Sequence, residues 1–240
     1  MFRLQPVLLS LLVSFNLASL ANAAASATPE EVDVRIEHVF APKGFDSNDN
    51  VQVFAKGWLP SPCYQAPHGN TVHSPNPNNL IVGVKASFVK DRACIQMAVP
   101  FLEPISVGHL PEGNFNILVE PDMHGSIRSA ITITAPHASS GDDHTYARVE
   151  KITANKNNHV TLSGSNPSDC VALDRIDVVS NGTDTYSILP IMKQIHSNCP
   201  RVAVPFEYHL DVPNERNSHD VLLHVRVLDG KSINYLIPKN

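Results

Sequence analysis

The chain has 240 residues, of which 42% are hydrophobic and 17% charged, and its formal net charge is −5 at pH 7. This length is enough for two domains of about 100 residues, each with a modest core of its own. The mild acidity, without any run of Lys or Arg, disfavours nucleic acids and anionic membrane surfaces as partners.

The first 23 residues are typical of a secretory signal peptide. Arg3 gives a positive start, an uncharged apolar run covers 7–20, and Ala21-Asn22-Ala23 supplies the small residues that precede a cleavage point. We predict a signal peptide over 1–23, with cleavage after Ala27 as a second option. A membrane anchor is the alternative, but the run is shorter than the ~20 residues that a span needs. The expected location is secreted or periplasmic, with no membrane span in the mature chain and a net charge of −6 once Arg3 is removed.

Alternating apolar residues predict β-strands along the rest of the chain, and no long stretch has a helical period. In chain order the predicted strands include residues 32–36, 51–53, 82–88, 115–119, 131–134, 149–152, 160–162, 176–179, 186–189, 202–204, 221–227 and 233–237. Asp229-Gly230 predicts a hairpin turn between the last two strands. In the strand 221–227, His224 alternates with Leu223 and Val225, so its side chain is expected to face solvent. Short strands separated by turn residues favour antiparallel β-sandwiches.

The sequence contains an internal repeat of about 106 residues. Gly57 matches Gly164 and Cys63 matches Cys170 at an offset of 107 residues, whereas the later matches fall at 105 or 106 residues. These later pairs are Cys94 with Cys199, Pro100-Phe101 with Pro205-Phe206, and Phe115 with Val221. Because the order is kept and the offset changes only by a few residues, the repeat indicates a duplicated domain. We predict a β-sandwich over 28–136, a linker over 137–145 and a second β-sandwich over 146–240.

The repeat also predicts how the four cysteines pair. Four cysteines allow three connectivities. If each unit folds alone, the disulfides are Cys63–Cys94 and Cys170–Cys199, which gives one disulfide in each domain. The alternative of four free buried cysteines depends on a reducing compartment.

Two segments of the first domain are the candidate binding loops. The insertion 41–50 is largely missing from the second domain, and its Asp46 and Asn48 begin like a calcium loop. Val51 stands at the sixth position of that motif, where glycine is needed, and Gly57 at the twelfth, where glutamate is needed, so a solvated loop is the preferred interpretation. The second candidate is the proline-rich segment 64–79. Its candidate contact residues are Tyr64, His68 and His73.

Trp58 is a further candidate contact residue. It is the only tryptophan, and the repeat places Ser165 at the matching position. Both a core position and an exposed anchor remain open for this side chain.

No motif for catalysis or for a cofactor is present in the sequence. The chain lacks G-x-S-x-G, H-E-x-x-H, a P-loop and a dinucleotide fingerprint. The twelve histidines are scattered rather than placed as close pairs on one strand face, which disfavours a metal site. We therefore expect no catalytic residue, no metal and no cofactor.

The first domain resembles known domains in one extended pattern. Leu-Pro-x-x-Cys-Tyr, a second Cys, Pro-Phe and the turn Leu-Pro-x-Gly-x-Phe are similar to domains, described as immunoglobulin-like, of secreted bacterial proteins of uncharacterised function. The residues that carry the pattern are Leu59, Pro60, Cys63, Tyr64, Cys94, Pro100, Phe101, Leu110, Pro111, Gly113 and Phe115. The second domain keeps the cysteines and Pro-Phe but has Val171 in place of the Tyr. The resemblance implies an immunoglobulin-like fold and export, and it implies no activity.

Three functions follow from these observations. The first is a non-enzymatic binding or structural protein whose partner is a protein or a surface glycan. The second is a secreted protease inhibitor that acts through an exposed loop over 64–79. The third is a hydrolase with a site at the domain interface, which a pocket with convergent histidines and carboxylates would favour.

Overall fold

The computed structural model describes residues 29–72, 74–90, 93–119, 127–137, 142–155, 159–200, 202–213 and 220–238. We call residues 29–137 the first half and residues 142–238 the second half. The predicted signal peptide and His73 lie outside the described residues. No helix in the described part of the chain is both long and apolar enough to cross a membrane.

The described residues of the first half form nine β-strands. They are β1 (Glu30–Asp33), β2 (Ile36–Phe40), β3 (Phe45–Asp46), β4 (Val51–Leu59), β5 (Tyr64–Val72), β6 (Asn79–Phe88), β7 (Val99–Gly108), β8 (Gly113–Val119) and β9 (Ile127–Thr134). The alternation seen in the sequence sets their faces, because Phe115, Ile117 and Val119 of β8 are buried while Asn114 is exposed. One sheet has the order β2-β4-β7, and the other has the order β1-β6-β8-β9-β3 with β5 also paired to β6. The core of this half lies between them.

In the second half, the residues that the structure describes form eight strands and one short turn. The strands are β10 (Thr145–Tyr146), β11 (Val149–Ala154), β12 (His159–Asn166), β13 (Val171–Ser180), β14 (Thr185–Gln194), β15 (Val204–Asp211), β16 (Val221–Val227) and β17 (Lys231–Ile237). Its two sheets have the orders β11-β12-β15 and β10-β14-β16-β17, with β13 paired to β14. Apart from β3, which has no counterpart among the described residues of the second half, the strand order is the same as in the first half. The predicted turn between β16 and β17 is present, and Asp229 and Gly230 both have positive φ, 66° and 65°.

A close backbone approach occurs at the same place in both halves. Ile36 pairs with Gly57 across β2 and β4, and Val149 pairs with Gly164 across β11 and β12. A Cβ atom at Gly57 would overlap the carbonyl oxygen of Arg35 and the ring of Phe101. At Gly164 it would meet the corresponding backbone carbonyl and the Phe206 ring. Glycine is therefore required at both positions because the neighbouring strand and ring occupy the space of a side chain.

Both predicted disulfides are present. The Cα atoms are 5.9 Å apart in Cys63–Cys94 and 5.5 Å apart in Cys170–Cys199. In each half the first cysteine is placed by the hydroxyl of a serine two residues earlier, Ser61 or Ser168, which accepts a hydrogen bond from the cysteine N–H. The all-β sandwich class predicted from the sequence is thus confirmed, with two disulfides.

The expectation of purely antiparallel sheets is wrong for three strand pairs. β6 runs parallel to β8, β14 runs parallel to β16, and β3 runs parallel to β9. The chain leaves β6, forms β7 in the opposite sheet and then returns as β8. A crossover of this kind lets two strands of one sheet run in the same direction. Alternation within one strand does not carry this information, because it specifies a face and not a direction.

The expectation of an irregular segment over 64–79 is also wrong for most of its length. Residues 64–72 form β5, which pairs with β6 from Tyr64 to Val72. The register shifts between Gln65 and His68, where Ala66 has a φ of 47°. Pro67 is accommodated at this irregularity, because β5 is an edge strand and a bulge does not need the missing N–H.

Candidate functional site

The insertion 41–50 connects the two halves and is not the free loop that the sequence suggested. The Lys43 N–H donates to Ser187 Oγ at 3.1 Å. The carbonyl of Ala41 accepts from Asn181 Nδ2 at 3.3 Å, and the carbonyl of Gly44 accepts from Arg226 Nη1 at 3.1 Å. The expectation of a solvated loop is wrong because β3 adds this segment to the edge of β9 and places it against the second half.

The interface where the two halves contact each other, which we call the joint, is centred on Arg226. Its guanidinium forms a bidentate pair with Asp49, in which Nη1 lies 2.8 Å from Oδ2 and Nη2 contacts Oδ1. Nη2 also contacts Asp142. The side chains of Arg226 and Asp49 are only 9% and 4% exposed. The guanidinium also lies over the rings of Phe45, at 5.7 Å, and Tyr146, at 5.0 Å. Its N–H groups therefore face carboxylates, and its planar surface faces aromatic rings.

The carboxylates around Arg226 have perturbed pKa values. Burial raises the pKa of Asp46, and the nearby charges of Asp49 and Asp143 add to this against the opposing hydrogen bond from the Asn48 N–H. Burial also raises the pKa of Asp142, although the guanidinium of Arg226 partly offsets the shift. One arginine thus faces several acids, and the joint carries an excess of negative charge.

His224 lies in the same joint, which corrects the expectation that it faces solvent. It is 1% exposed, and its ring packs against Phe45 and Phe54 with centroid separations of 5.8 and 5.4 Å. Its Nδ1 lies 2.8 Å from Oδ1 of Asn234. Burial lowers the pKa of His224 to about 4, so the imidazole is neutral at pH 7. One face of β16 packs on the core of the second half, and the other face is covered by the first half.

A cavity of about 300 Å³ opens beside these two buried residues. Its wall combines the insertion, the turn between β16 and β17 and the end of β7. The lining residues include Asn48, Asn50, Gln52, His109, Asp142, His224, Arg226, Lys231 and Ser232. The Ser232 hydroxyl donates to Gln52 Oε1 at 3.0 Å, so a side-chain bond crosses from one half to the other in this wall.

Two ion pairs lie elsewhere along the joint. His38 Nε2 is 2.6 Å from Asp184 Oδ2, and Lys56 contacts Asp220. Burial acts to raise the pKa of Asp184, but hydrogen bonds from His38, Asn181 and Thr185 outweigh it and lower the pKa. The two halves are therefore held by charged contacts as well as by the apolar cluster of Phe40, Phe54 and Leu222.

The residues proposed from the sequence as contact residues do not form one site. Asn48 lines the cavity, while Asp46 is buried beside it, 7% exposed. Trp58 is 44% exposed, and its Nε1 donates to Glu37 at 2.9 Å, which favours an exposed position over a core one. On β5, Tyr64 packs against Phe88, and His68 lies 3.3 Å from Glu31.

A second candidate surface follows the second cysteine of each disulfide. We call the described residues between Cys94 and β7 and between Cys199 and β15 the tethered loops; residue 201 lies outside the described residues. In each, a backbone bond of the γ-turn type is present: the Met97 N–H donates to the Ile95 carbonyl and the Val202 N–H to the Pro200 carbonyl. Both turns present an exposed apolar side chain, because Met97 is 56% exposed and Val202 is 62% exposed.

The tethered loops were not predicted from the sequence, although the repeat contains a signal for them. Met97 and Val202 stand at the 105-residue offset that the neighbouring cysteines also keep. They lie outside the strand pattern, and apolar residues with no place in a sheet face are candidates for external contacts.

The described residues contain no group of three or more His, Cys, Asp and Glu side chains that could hold a metal. One close histidine pair does form, since the rings of His159 and His209 stack 5.5 Å apart on β12 and β15. Each of them also lies beside a carboxylate of β15, Asp211 or Glu207.

The fold and these two surfaces define an all-β sandwich protein with disulfide bonds. A family model described as ORF11 beta-sandwich domain matches residues 53–128, which lie within the first half. No curated protein and no solved structure matches the chain.

Proposed function

We propose that the chain is a secreted or periplasmic, non-enzymatic binding protein, built from a duplicated β-sandwich, that contacts a macromolecular partner through the tethered loops. The observation that carries this proposal is the matched exposure of Met97 and Val202. Exposed apolar side chains occur singly on any protein surface. Here they recur at corresponding positions, on the same backbone turn and next to a disulfide.

The disulfides support the proposal in two ways. A bridge fixes the base of each loop, so less conformational entropy is lost when the loop meets a partner. Disulfides also persist in oxidising compartments, which agrees with the predicted signal peptide. The identical strand order of the two halves supports the duplication, and it gives one protein two copies of the same contact, so that binding by both would increase the overall affinity.

The proposed export has a direct test. The full chain is expressed in a host that secretes proteins, and the exported product is sequenced from its N-terminus. We expect the product to begin at Ala24, or at Thr28 if cleavage follows Ala27. A product that stays in the cytoplasm with Met1 intact would contradict the predicted location.

Binding is tested with the purified, oxidised protein immobilised as bait for envelope and extracellular extracts. We expect a partner that is recovered by the parent chain and lost at least about tenfold when Met97→Ser and Val202→Ser are combined, because the apolar contact area is removed. Val72→Ser is the matched control, since Val72 is an exposed apolar residue of β5, 38% exposed. Equal recovery by the double variant would refute the role of the tethered loops.

A hydrolase is the second candidate, because His224, His109 and Asp142 converge on the cavity at the joint. The contacts of these groups argue against it. His224 Nδ1 is bonded to an amide and not to a carboxylate, and Asp142 pairs with Arg226. The test is a panel of ester, peptide and glycoside substrates, in which turnover that disappears in His224→Phe would favour the hydrolase over the binding protein.

The protease inhibitor stays a weaker alternative. It relied on an exposed loop over 64–79, and residues 64–72 are paired in the sheet as β5. The test assays a panel of proteases, each with an excess of the oxidised protein. Inhibition that persists after the residues around 74–78 are replaced would refute the role of this segment.

A further inference from the structure

We propose that the cavity at the joint is a binding site for a neutral polyhydroxy ligand the size of one sugar ring, and that His224 Nε2 accepts a hydroxyl of that ligand. This proposal rests on the proposed function only in treating the chain as a binding protein. It concerns a different surface from the tethered loops.

His224 has one ring nitrogen whose hydrogen-bonding capacity is not satisfied. Within the described part of the chain, Nε2 is buried and has no hydrogen-bond partner. Nδ1 faces Oδ1 of Asn234, whose Nδ2 in turn donates to Ser232. Because Oδ1 can only accept, Nδ1 carries the proton and Nε2 is left as an acceptor. Buried polar atoms without partners are rare, so a donor is expected at this position.

The buried cation beside His224 does not supply this donor, because its own donors are already used. The guanidinium of Arg226 is engaged by Asp49, by Asp142 and by the carbonyl of Gly44. His224 is one of the residues that line the cavity, so we infer that a hydroxyl of a ligand held there supplies the donor to Nε2. The volume of about 300 Å³ exceeds the roughly 30 Å³ of one water and is at the lower limit of ligand sites.

The side chains of the cavity wall indicate the chemical class of the ligand. Asn48, Asn50 and Gln52 bring amides, which both donate and accept, and Phe45 brings an apolar ring. The wall has three carboxylates, Asp49, Asp142 and Asp229, against the two cations Arg226 and Lys231, so its charge is slightly negative. A slightly acidic wall with mixed donors and acceptors suits neutral hydroxyl groups better than it suits an anion such as phosphate.

The experiment uses the full oxidised protein and a set of neutral hexoses and N-acetylhexosamines as probes. Binding is followed by saturation-transfer NMR of the sugar and by the ¹⁵N shift of the His224 imidazole. We expect saturable binding by at least one sugar and a change in the His224 Nε2 shift, because a new hydroxyl donor reaches that nitrogen.

Two variants and one control test the site. His224→Phe removes the acceptor, and Asn50→Trp fills the mouth of the cavity from an exposed position; each should weaken binding at least tenfold. Asn114→Trp is the control, because Asn114 is also exposed and accepts a hydroxyl, that of Thr132, just as Asn50 accepts that of Ser106. If His224→Phe does not fold, Asn50→Trp still tests the proposal.

Three outcomes would overturn the inference: no saturable binding by any sugar, binding that Asn50→Trp leaves unchanged, or a cavity that holds water only. The combined Met97→Ser and Val202→Ser variant separates this inference from the proposed function. It should bind the sugar as the parent does. Sugar binding without any captured partner would keep the inference and refute the role of the tethered loops.

Discussion

Arg226 from the second half and Asp49 from the first form a bidentate ion pair in which both side chains are buried. Breaking a buried pair by removing one member leaves an uncompensated charge, which is far more costly than the net value of the pair. The pair also joins a strand of one half to the insertion of the other, so the cost falls on the joint between the halves.

Asp49→Ala is expected to destabilise the protein by about 1.5–3 kcal/mol, because the buried Arg226 loses its bidentate hydrogen bonds while its contact with Asp142 remains. The measurement is denaturant unfolding with the disulfides intact. Combining Asp49→Leu with Arg226→Met should recover only part of the loss, because the buried pair is then gone but Asp142 loses its cation. Asp174→Ala is the control, and this exposed acid of β13 should have little effect although it pairs with Arg175 and Lys193. Equal losses at Asp49 and Asp174 would contradict the prediction.

The buried His224 is expected to lower the free energy of unfolding in acid. Its pKa is about 4 in the folded chain and 6.5 as an ordinary histidine, so between these values the unfolded chain binds more protons. This contribution is fully present above pH 6.5 and is lost as the pH falls toward 4, by about 3 kcal/mol in total. Asp46 and Asp142 act in the opposite direction, because their raised pKa values favour the protonated folded state as the pH falls.

The comparison of the parent chain with His224→Phe isolates the histidine from these carboxyl groups. The free energy of unfolding is measured from pH 7 to pH 4.5 in both proteins. We expect a clearly smaller decline in the variant, because phenylalanine cannot take up a proton and fits beside Phe45 and Phe54. Parallel curves would show that the decline comes from other groups.

The sequence was sufficient for the fold class and the disulfides because both depend on regularities along the chain. Alternation placed Phe115 and Ile117 in the core, and the repeat of the cysteines selected one pairing of three. Strand direction depends instead on the path between strands, so the parallel pairing of β6 and β8 was not visible.

The cavity at the joint was largely unpredictable from the sequence for a related reason. Period-two reasoning assigns one face to the core and the other to solvent, but β16 is covered on both faces, and His224 lies on the second one. A signal was available, because Val39-Phe40-Ala41 and Val53-Phe54-Ala55 are continuous apolar runs. Such runs are typical of strands that are buried on both faces.

Gly57 and Gly164 occupy matching positions in the two halves, and a side chain at either position is expected to destabilise the protein. Gly57→Ala and Gly164→Ala should each destabilise the protein by about 1–3 kcal/mol, because the new methyl group overlaps a backbone carbonyl and the ring of Phe101 or Phe206. Denaturant unfolding measures the loss. Ser165→Ala is the control, since Ser165 neighbours Gly164 and only its hydroxyl bond to Glu150 is removed. A neutral effect at both glycines would show that the strands separate freely here.

The disulfides provide the last prediction. The bridged cysteines are 31 residues apart in the first half and 29 apart in the second, so both bonds close loops of similar length. The chain-entropy model then assigns about 3–4 kcal/mol to each bond. We expect the paired variants Cys63→Ser with Cys94→Ser, and Cys170→Ser with Cys199→Ser, to lose similar amounts of stability in denaturant unfolding. They should also lose partner capture through the affected tethered loop, because its base is no longer fixed. Full capture by both paired variants would show that the disulfides serve the fold and not the binding surface.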